Sequence, residues 1–126
     1  MERKELAKYF DHTNLKAYAT KEDLYKTCDE AVKEGCAMVA INSFPVKDCA
    51  DYLKGTSVHV GAAIGFPLGQ TTIETKKYET IDAINLWETR ITVNSVSVEI
   101  NQEIITVKIE WTLKDSNTKG TAEITL

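Results

Sequence analysis

The chain has 126 residues, of which 43% are hydrophobic and 27% are charged, and its formal net charge is -4 at neutral pH. This length fits one domain with a modest core, and the composition is ordinary for a globular protein. The acidic balance and the lack of a basic patch argue against nucleic acid as a partner, and no apolar run is long enough to cross a membrane.

The N-terminus and the cysteines indicate the cellular compartment that we expect for the protein. Residues 1–10 contain no apolar signal segment, so we expect a cytoplasmic protein without a membrane partner. Cys28, Cys36 and Cys49 are odd in number and lack metal-ligand spacing, which indicates reduced thiols. We expect no metal site and no cofactor.

Strand and helix signals alternate from the N-terminus onward. Leu6 and Phe10 predict a short amphipathic helix, and residues 11–15 predict a first strand. Thr20 and Gly35 are the expected cap residues of the next helix. The apolar run 36–41 predicts a buried second strand, and apolar positions within 46–53 predict a helix that Gly55 ends.

Residues 58–76 give the clearest signal. The run 58–64 is apolar and rich in small residues, which is typical of a strand buried on both faces. The loop Gly-Phe-Pro-Leu-Gly at 65–69 breaks it, and Thr71 with Glu74 predicts a capping box for a helix over about 72–85. The repeated strand–helix order predicts parallel strands with right-handed crossovers and helices on one side of the sheet.

Residues 86–126 change to a period of two. Apolar residues alternate through 91–100, with a slip of one residue after Asn94 that predicts a bulge. After a predicted turn at 101–103, alternation over 105–113 predicts a half-buried antiparallel strand. Ala122, Ile124 and Leu126 complete a predicted three-stranded meander.

Several short segments together resemble deoxyribose-phosphate aldolase over about residues 8–84. They are Asp11-His12-Thr13, Ala40-Ile41-Asn42, Val58-His59-Val60-Gly61, the 65–69 loop with Thr71-Thr72, and residues 78–84. The resemblance implies a fragment of a (β/α)8 barrel. It also implies a lyase that cleaves 2-deoxyribose 5-phosphate to glyceraldehyde 3-phosphate and acetaldehyde through a lysine Schiff base, without a metal.

The resemblance carries only one active-site residue onto this sequence. Asp11 corresponds to an aspartate that has a supporting role in the family's site, and Ala40 replaces a cysteine often found on the second strand. The family's strand-four aspartate, its Schiff-base lysine on strand six and its second lysine on strand seven have no counterpart here. We therefore expect no catalytic residues, with Asp11 as a relic of that site.

Residues 86–91, with the alternating strands behind them, resemble a second family. The sequence Leu-Trp-Glu-Thr-Arg-Ile is similar to the C-terminal part of the phage-tail and type VI secretion baseplate wedge family, over about residues 81–126. Two unrelated families then meet within one helix, between about Ile81 and Trp87. This junction predicts an engineered chimera.

The expected architecture is α/β. Residues 1–84 form a partial TIM-barrel segment and residues 85–126 an antiparallel meander, joined in a mixed sheet as one folded unit. Three parallel strands with helices on one face leave the other face bare. The meander could extend the sheet, fold over the bare face or pair with another copy, and homodimerisation is one expected outcome.

Our first functional hypothesis is a folded chimera with no native catalytic function. One alternative is residual aldolase-like lyase activity that depends on Asp11, Lys16 and the 65–69 loop, although a surface role for Lys16 is the simpler interpretation. The other alternative is a baseplate-type protein-interaction module. We interpret the two histidines as structural residues and the two tryptophans as core anchors: His12, His59, Trp87 and Trp111.

Overall fold

A computed structural model of the protein describes residues 2–101 and 104–125. Gln102, Glu103 and Leu126, which the sequence assigns to a turn and to the last strand, lie outside the described residues. The chain divides into two compact units, Met1–Gly69 and Gln70–Leu126. None of the helices that the described residues form is long and apolar enough to span a membrane.

The first unit alternates helices and strands. Its elements are α1 (Arg3–Ala7), β1 (Asp11–Asn14), α2 (Lys21–Glu34), β2 (Met38–Asn42), α3 (Val46–Tyr52) and β3 (His59–Ala63). The three strands are parallel and lie in the order β1-β2-β3. The predicted parallel sheet is therefore confirmed.

Helix α2 begins and ends where the sequence predicts. Thr20 accepts a hydrogen bond from the backbone N–H of Asp23, and the Asp23 carboxylate accepts from the Thr20 backbone in return. This capping box satisfies two backbone donors that would otherwise have no partner. Gly35 follows the helix with φ 76°, a left-handed conformation that glycine adopts without steric cost.

The core of the first unit lies between the sheet and helices α2 and α3. Its least exposed large side chains belong to all three elements: Cys28, Val39, Ile41 and Cys49. Val39 and Ile41 alternate along the central strand and point to the helices, because successive strand side chains face opposite sides of a sheet. Both helices therefore pack on one face of the sheet.

The second unit comprises α4 (Ile73–Trp87), β4 (Ile91–Asn101), β5 (Ile104–Leu113) and β6 (Lys119–Thr125). The strands form the antiparallel meander β4-β5-β6. The register between β4 and β5 shifts between Val93 and Ser95, which confirms the predicted bulge. The Asn85 side chain of α4 accepts a hydrogen bond from the Val93 backbone at 3.2 Å and ties the helix to the sheet.

Three expectations about packing are wrong. The parallel strands and the meander form two separate sheets in the described part of the chain, not one mixed sheet. Strand β3 is not buried on both faces, since His59 is exposed and the rest of the strand is only half-buried. Trp87 is 52% exposed at the end of α4 and is not a core anchor.

The N-cap of α4 also differs from the prediction by one residue. Thr72, not Thr71, precedes the helix, and its hydroxyl accepts from the Thr75 backbone N–H at 3.1 Å. The sequence offers two adjacent threonines, and the glutamate three positions after Thr71 favoured the wrong one. Thr72 supplies the helix with a partner for one of its free N–H groups.

Removing the hydroxyl of Thr72 is therefore expected to destabilise the second unit. We predict that Thr72→Ala lowers the free energy of unfolding by about 1 kcal/mol, the usual cost of losing a threonine cap. Urea unfolding, monitored by tryptophan fluorescence, measures this loss of stability, because both tryptophans lie in the second unit. Thr71→Ala is the matched control and should change little; an equal loss in both variants would contradict the assignment.

Candidate active site

Within the first unit, α2 and α3 pack on one face of the parallel sheet, and the opposite face is called the helix-free face. The strand register aligns Asp11 with Met38 and His59 in one row, and Thr13 with Ala40 in the next. Along β2, Met38 and Ala40 alternate with the core-facing Val39 and Ile41. The residues of both rows therefore point to the opposite side of the sheet. In a complete barrel this side would be the interior.

Met38 fills the space above the middle of this face. A Cβ atom on Gly61 would lie 2.8 Å from the Met38 Sδ atom, which is closer than these atoms can approach. Gly61, next to Met38 on the adjacent strand, therefore makes room for the thioether. Gly61 of β3 thus permits close packing on the helix-free face.

Asp11 occupies the first position of β1 and is exposed. The row that it shares with Met38 and His59 places a carboxylate and an imidazole on strands two apart, about 10 Å from each other at the usual strand spacing. A carboxylate and an imidazole are the groups that most often move protons in enzymes. They lie at the amino ends of their strands.

His12 points to the other side of the sheet. Its Nε2 atom lies 2.8 Å from Oε2 of Glu30 on α2, and this hydrogen bond holds the pKa of the Glu30 carboxyl below its usual value. His12 thus links β1 to α2, in agreement with its interpretation as a structural residue. Within residues 2–101 and 104–125, no group of three or more His, Cys, Asp or Glu side chains could hold a metal ion.

Lys16 follows β1 and lines a cavity of about 190 Å³ at the carboxyl ends of β1 and β2. It lies five residues after Asp11, a distance of about 15 Å along an extended strand. The structure therefore places the two residues at opposite ends of β1 and does not bring them together. The cavity is lined by the loop before α2, by α2, by the loop before α3 and by α3, through Ala19, Leu24, Pro45 and Cys49 respectively.

A second lysine lines the same cavity, and sequence reasoning missed it. Lys21 is the first residue of α2, and its Nζ atom lies 3.1 Å from Oδ2 of Asp48 on α3. It also lies 5.4 Å from the centre of the Tyr25 ring. The Asp48 hydrogen bond is the largest cause that raises the pKa of Lys21, so this ammonium stays charged. No sequence pattern indicated the contact between Lys21 and Asp48, because this ion pair depends on how α2 and α3 pack.

The loop 65–69 follows β3, at the same end of the sheet as Lys16. The Gly69 N–H donates to the Gly65 carbonyl at 2.7 Å, which closes the loop on itself. Phe66 and Leu68 are 49% and 73% exposed. The loop thus presents apolar side chains at the end of the sheet where α/β proteins place their chemistry.

Comparison with known proteins finds relatives for the first two thirds of the chain. It is 51% identical over 84 residues to a deoxyribose-phosphate aldolase of Aciduliprofundum boonei, which covers 67% of this chain and 38% of that protein. It is 55% identical over 80 residues to the same-named protein of Lactobacillus acidophilus, covering 64% and 34% respectively. The chain thus spans little more than a third of these relatives. No protein-family profile matches it.

Solved structures agree with this. A Coccidioides immitis protein assigned as a deoxyribose-phosphate aldolase superposes with a TM-score of 0.65 and 32% identity, covering 68% of this chain and 34% of its own. The tetrameric deoxyribose-phosphate aldolase of Aeropyrum pernix gives a TM-score of 0.63 and 27% identity, covering 68% and 36%. The aldolase resemblance and the α/β fold class are therefore confirmed.

These relatives overturn the first functional hypothesis. We expected a folded chimera with no native catalytic function, but proteins about 50% identical to this chain over some 80 residues are named aldolases. The comparison favours the aldolase-like lyase over that hypothesis. The hypothesis was wrong because it gave most weight to family residues that the sequence does not contain.

Proposed function

We propose that this chain serves aldol-lyase chemistry of the deoxyribose-phosphate aldolase type, by supplying the first three strands of the barrel. The observation that carries the proposal is the 51% identity over 84 residues. The strand register places Asp11 on the helix-free face. In the resembled family, a lysine on a later strand forms the Schiff base. The helix-free face is the side on which such strands would add their side chains.

Asp11 is the residue of this chain that we propose for proton transfer in that site. Its carboxylate is exposed and points away from the core, so it is available to groups brought by further strands. Carboxylates positioned in this way contribute by accepting and returning a proton. Lys16 offers an alternative amine at the other end of β1, where the cavity would hold a small aldehyde.

A complementation assay tests the proposal. The chain is mixed with the part of the Lactobacillus acidophilus aldolase that it does not match, and acetaldehyde release from 2-deoxyribose 5-phosphate is followed. We expect turnover with both parts present, and a loss on the order of 100-fold with Asp11→Asn, the usual size of a proton-transfer contribution. The relative's own N-terminal part is the positive control; turnover with that control but not with this chain would contradict the proposal.

Borohydride trapping with acetaldehyde, on the chain alone and on its mixture with the complementing part, locates the amine. A reduced adduct that maps to Lys16 and disappears in Lys16→Met would assign the amine to this chain. If the only adduct maps to the complementing part, the amine comes from the later strands, as the family resemblance implies. Lys16→Met retains most of the side-chain volume, so the cavity wall is preserved.

We also propose that residues 85–126 come from a baseplate wedge-like family and that the chain is a chimera. The aldolase relatives named above match 84 and 80 residues of the chain, which supports an origin elsewhere for the rest. Helix α4 runs without interruption through the predicted junction to Trp87. In this proposal the meander serves as a protein-interaction segment, and a pull-down with a tail or sheath component at micromolar concentration would test it.

Self-association is part of the proposal as well. The helix-free face leaves Asp11 and Thr13 exposed and β3 half-covered, and a second copy would bury this surface. One structural relative is described as tetrameric. Light scattering across a concentration series would detect such a dimer.

A further inference from the structure

Two of the three cysteines touch each other between α2 and α3. Cys28 and Cys49 are both fully buried, and the Cys28 thiol donates a hydrogen bond to the Cys49 sulfur. Cys28 lies in the middle of α2 and Cys49 in the middle of α3, so the contact joins two separate elements. Nothing in the proposed aldol chemistry uses either thiol.

The two sulfurs are chemically different. The hydrogen bond from Cys28 is the largest cause that lowers the pKa of Cys49, and Lys21 lowers it further, against the opposing effects of burial and Asp48. The same hydrogen bond, together with burial, raises the pKa of Cys28. Cys49 is thus the sulfur that more readily becomes a thiolate, which is the nucleophilic form.

Cys49 also belongs to the wall of the 190 Å³ cavity, which is large enough to admit a molecule the size of water. Lys16, Lys21 and Asp48 lie around the same cavity, and Asp48 pairs with Lys21. Cys28 is not among the residues that line it. Because Cys49 has no exposed surface, a small neutral oxidant reaches its sulfur from this cavity only when side chains of the cavity wall move.

From this geometry we propose that Cys49 and Cys28 form a dithiol oxidation site for small hydroperoxides, with Cys49 attacking and Cys28 resolving. The Cys49 thiolate attacks one peroxide oxygen, the O–O bond breaks, and the departing hydroxide takes up the thiol proton as water. Cys49 is thereby oxidised to a sulfenic acid and the peroxide is reduced. The Cys28 sulfur then attacks the Cys49 sulfur; the S–O bond breaks, a second water leaves and a disulfide joins α2 to α3.

Intact-mass analysis after treatment with hydrogen peroxide tests the proposal on the wild-type protein. We expect a loss of two hydrogen atoms, a peptide map that links Cys28 to Cys49, and reversal by dithiothreitol. Cys36 is a half-buried free cysteine and serves as the internal reference. Oxidation confined to Cys36, with Cys28 and Cys49 still reduced, would overturn the proposal.

Single substitutions test which sulfur attacks. In Cys28→Ala the sulfenic acid on Cys49 should persist and react with dimedone. In Cys49→Ala the Cys28 thiol should be labelled about tenfold less, because it is fully buried and does not line the cavity. Equal labelling, or more on Cys28, would overturn the assigned order. The wild-type cross-link does not depend on these variants, so it still tests the site if either variant folds poorly.

Discussion

Replacing Gly120 by alanine is expected to destabilise the meander by on the order of 2 to 3 kcal/mol, the usual cost of overpacking a tightly packed site. Gly120 on β6 pairs directly with Trp111 on β5, and the indole ring covers the glycine. A Cβ atom built there would lie 2.1 Å from Cζ2 of Trp111, well inside van der Waals contact. The indole or the strand would have to move.

A double-mutant cycle isolates this effect. Gly120→Ala is measured by urea unfolding in the wild-type chain and again in a Trp111→Leu background, with circular dichroism as the probe. We expect the cost of the alanine to fall sharply when the indole is absent, which gives a large coupling free energy. The same cost in both backgrounds would show that Trp111 does not determine the need for glycine at this position.

Replacing Ile41 by alanine is expected to lower the stability of the first unit by about 3 kcal/mol, within the usual range for an isoleucine truncated in a core. Ile41 is 1% exposed on the central strand β2 and belongs to the cluster formed with α2 and α3. The truncation leaves a cavity that three packed elements cannot easily close.

The matched control is Phe44→Ala, three residues further along the chain. Phe44 is 91% exposed, so its removal should change the free energy of unfolding by less than about 0.5 kcal/mol. Hydrogen exchange of the β2 amides resolves the first unit from the second, whose two tryptophans dominate fluorescence. A small effect of Ile41→Ala, equal to that of Phe44→Ala, would contradict the described core.

Local features of the fold were predictable, and nonlocal ones were not. Thr20 and Gly35 mark α2 because capping depends on residues a few positions apart. The bulge near Asn94 was predictable for the same reason, since the alternation of apolar residues that reveals it is a local pattern. The expected mixed sheet failed because strand pairing depends on which edges meet, and the sequence pattern of a strand does not name its partner.

In the candidate site, too, the residues that belong to a local motif were predictable and the contacts between distant elements were not. Asp11 was found through motif resemblance, and the strand register places it on the helix-free face. Lys21 was missed because its role comes from Asp48, 27 positions later and on another helix. The contact between Cys28 and Cys49 was missed as well, since it depends on the packing of α2 against α3 and not on cysteine spacing.

Our central proposal is that the first unit resembles an aldolase barrel segment and that further strands, added at the edges of its sheet, enclose the helix-free face. Met38 reports on that face directly, because the chain contains only two methionines and Met38 packs beside Gly61. We would label the methionine methyl groups with carbon-13 and titrate in the complementing part of the Lactobacillus acidophilus aldolase. The account predicts a new Met38 signal that grows to saturation. A Met38 signal that stays unchanged, while the relative's own N-terminal part still binds that complement, would contradict it.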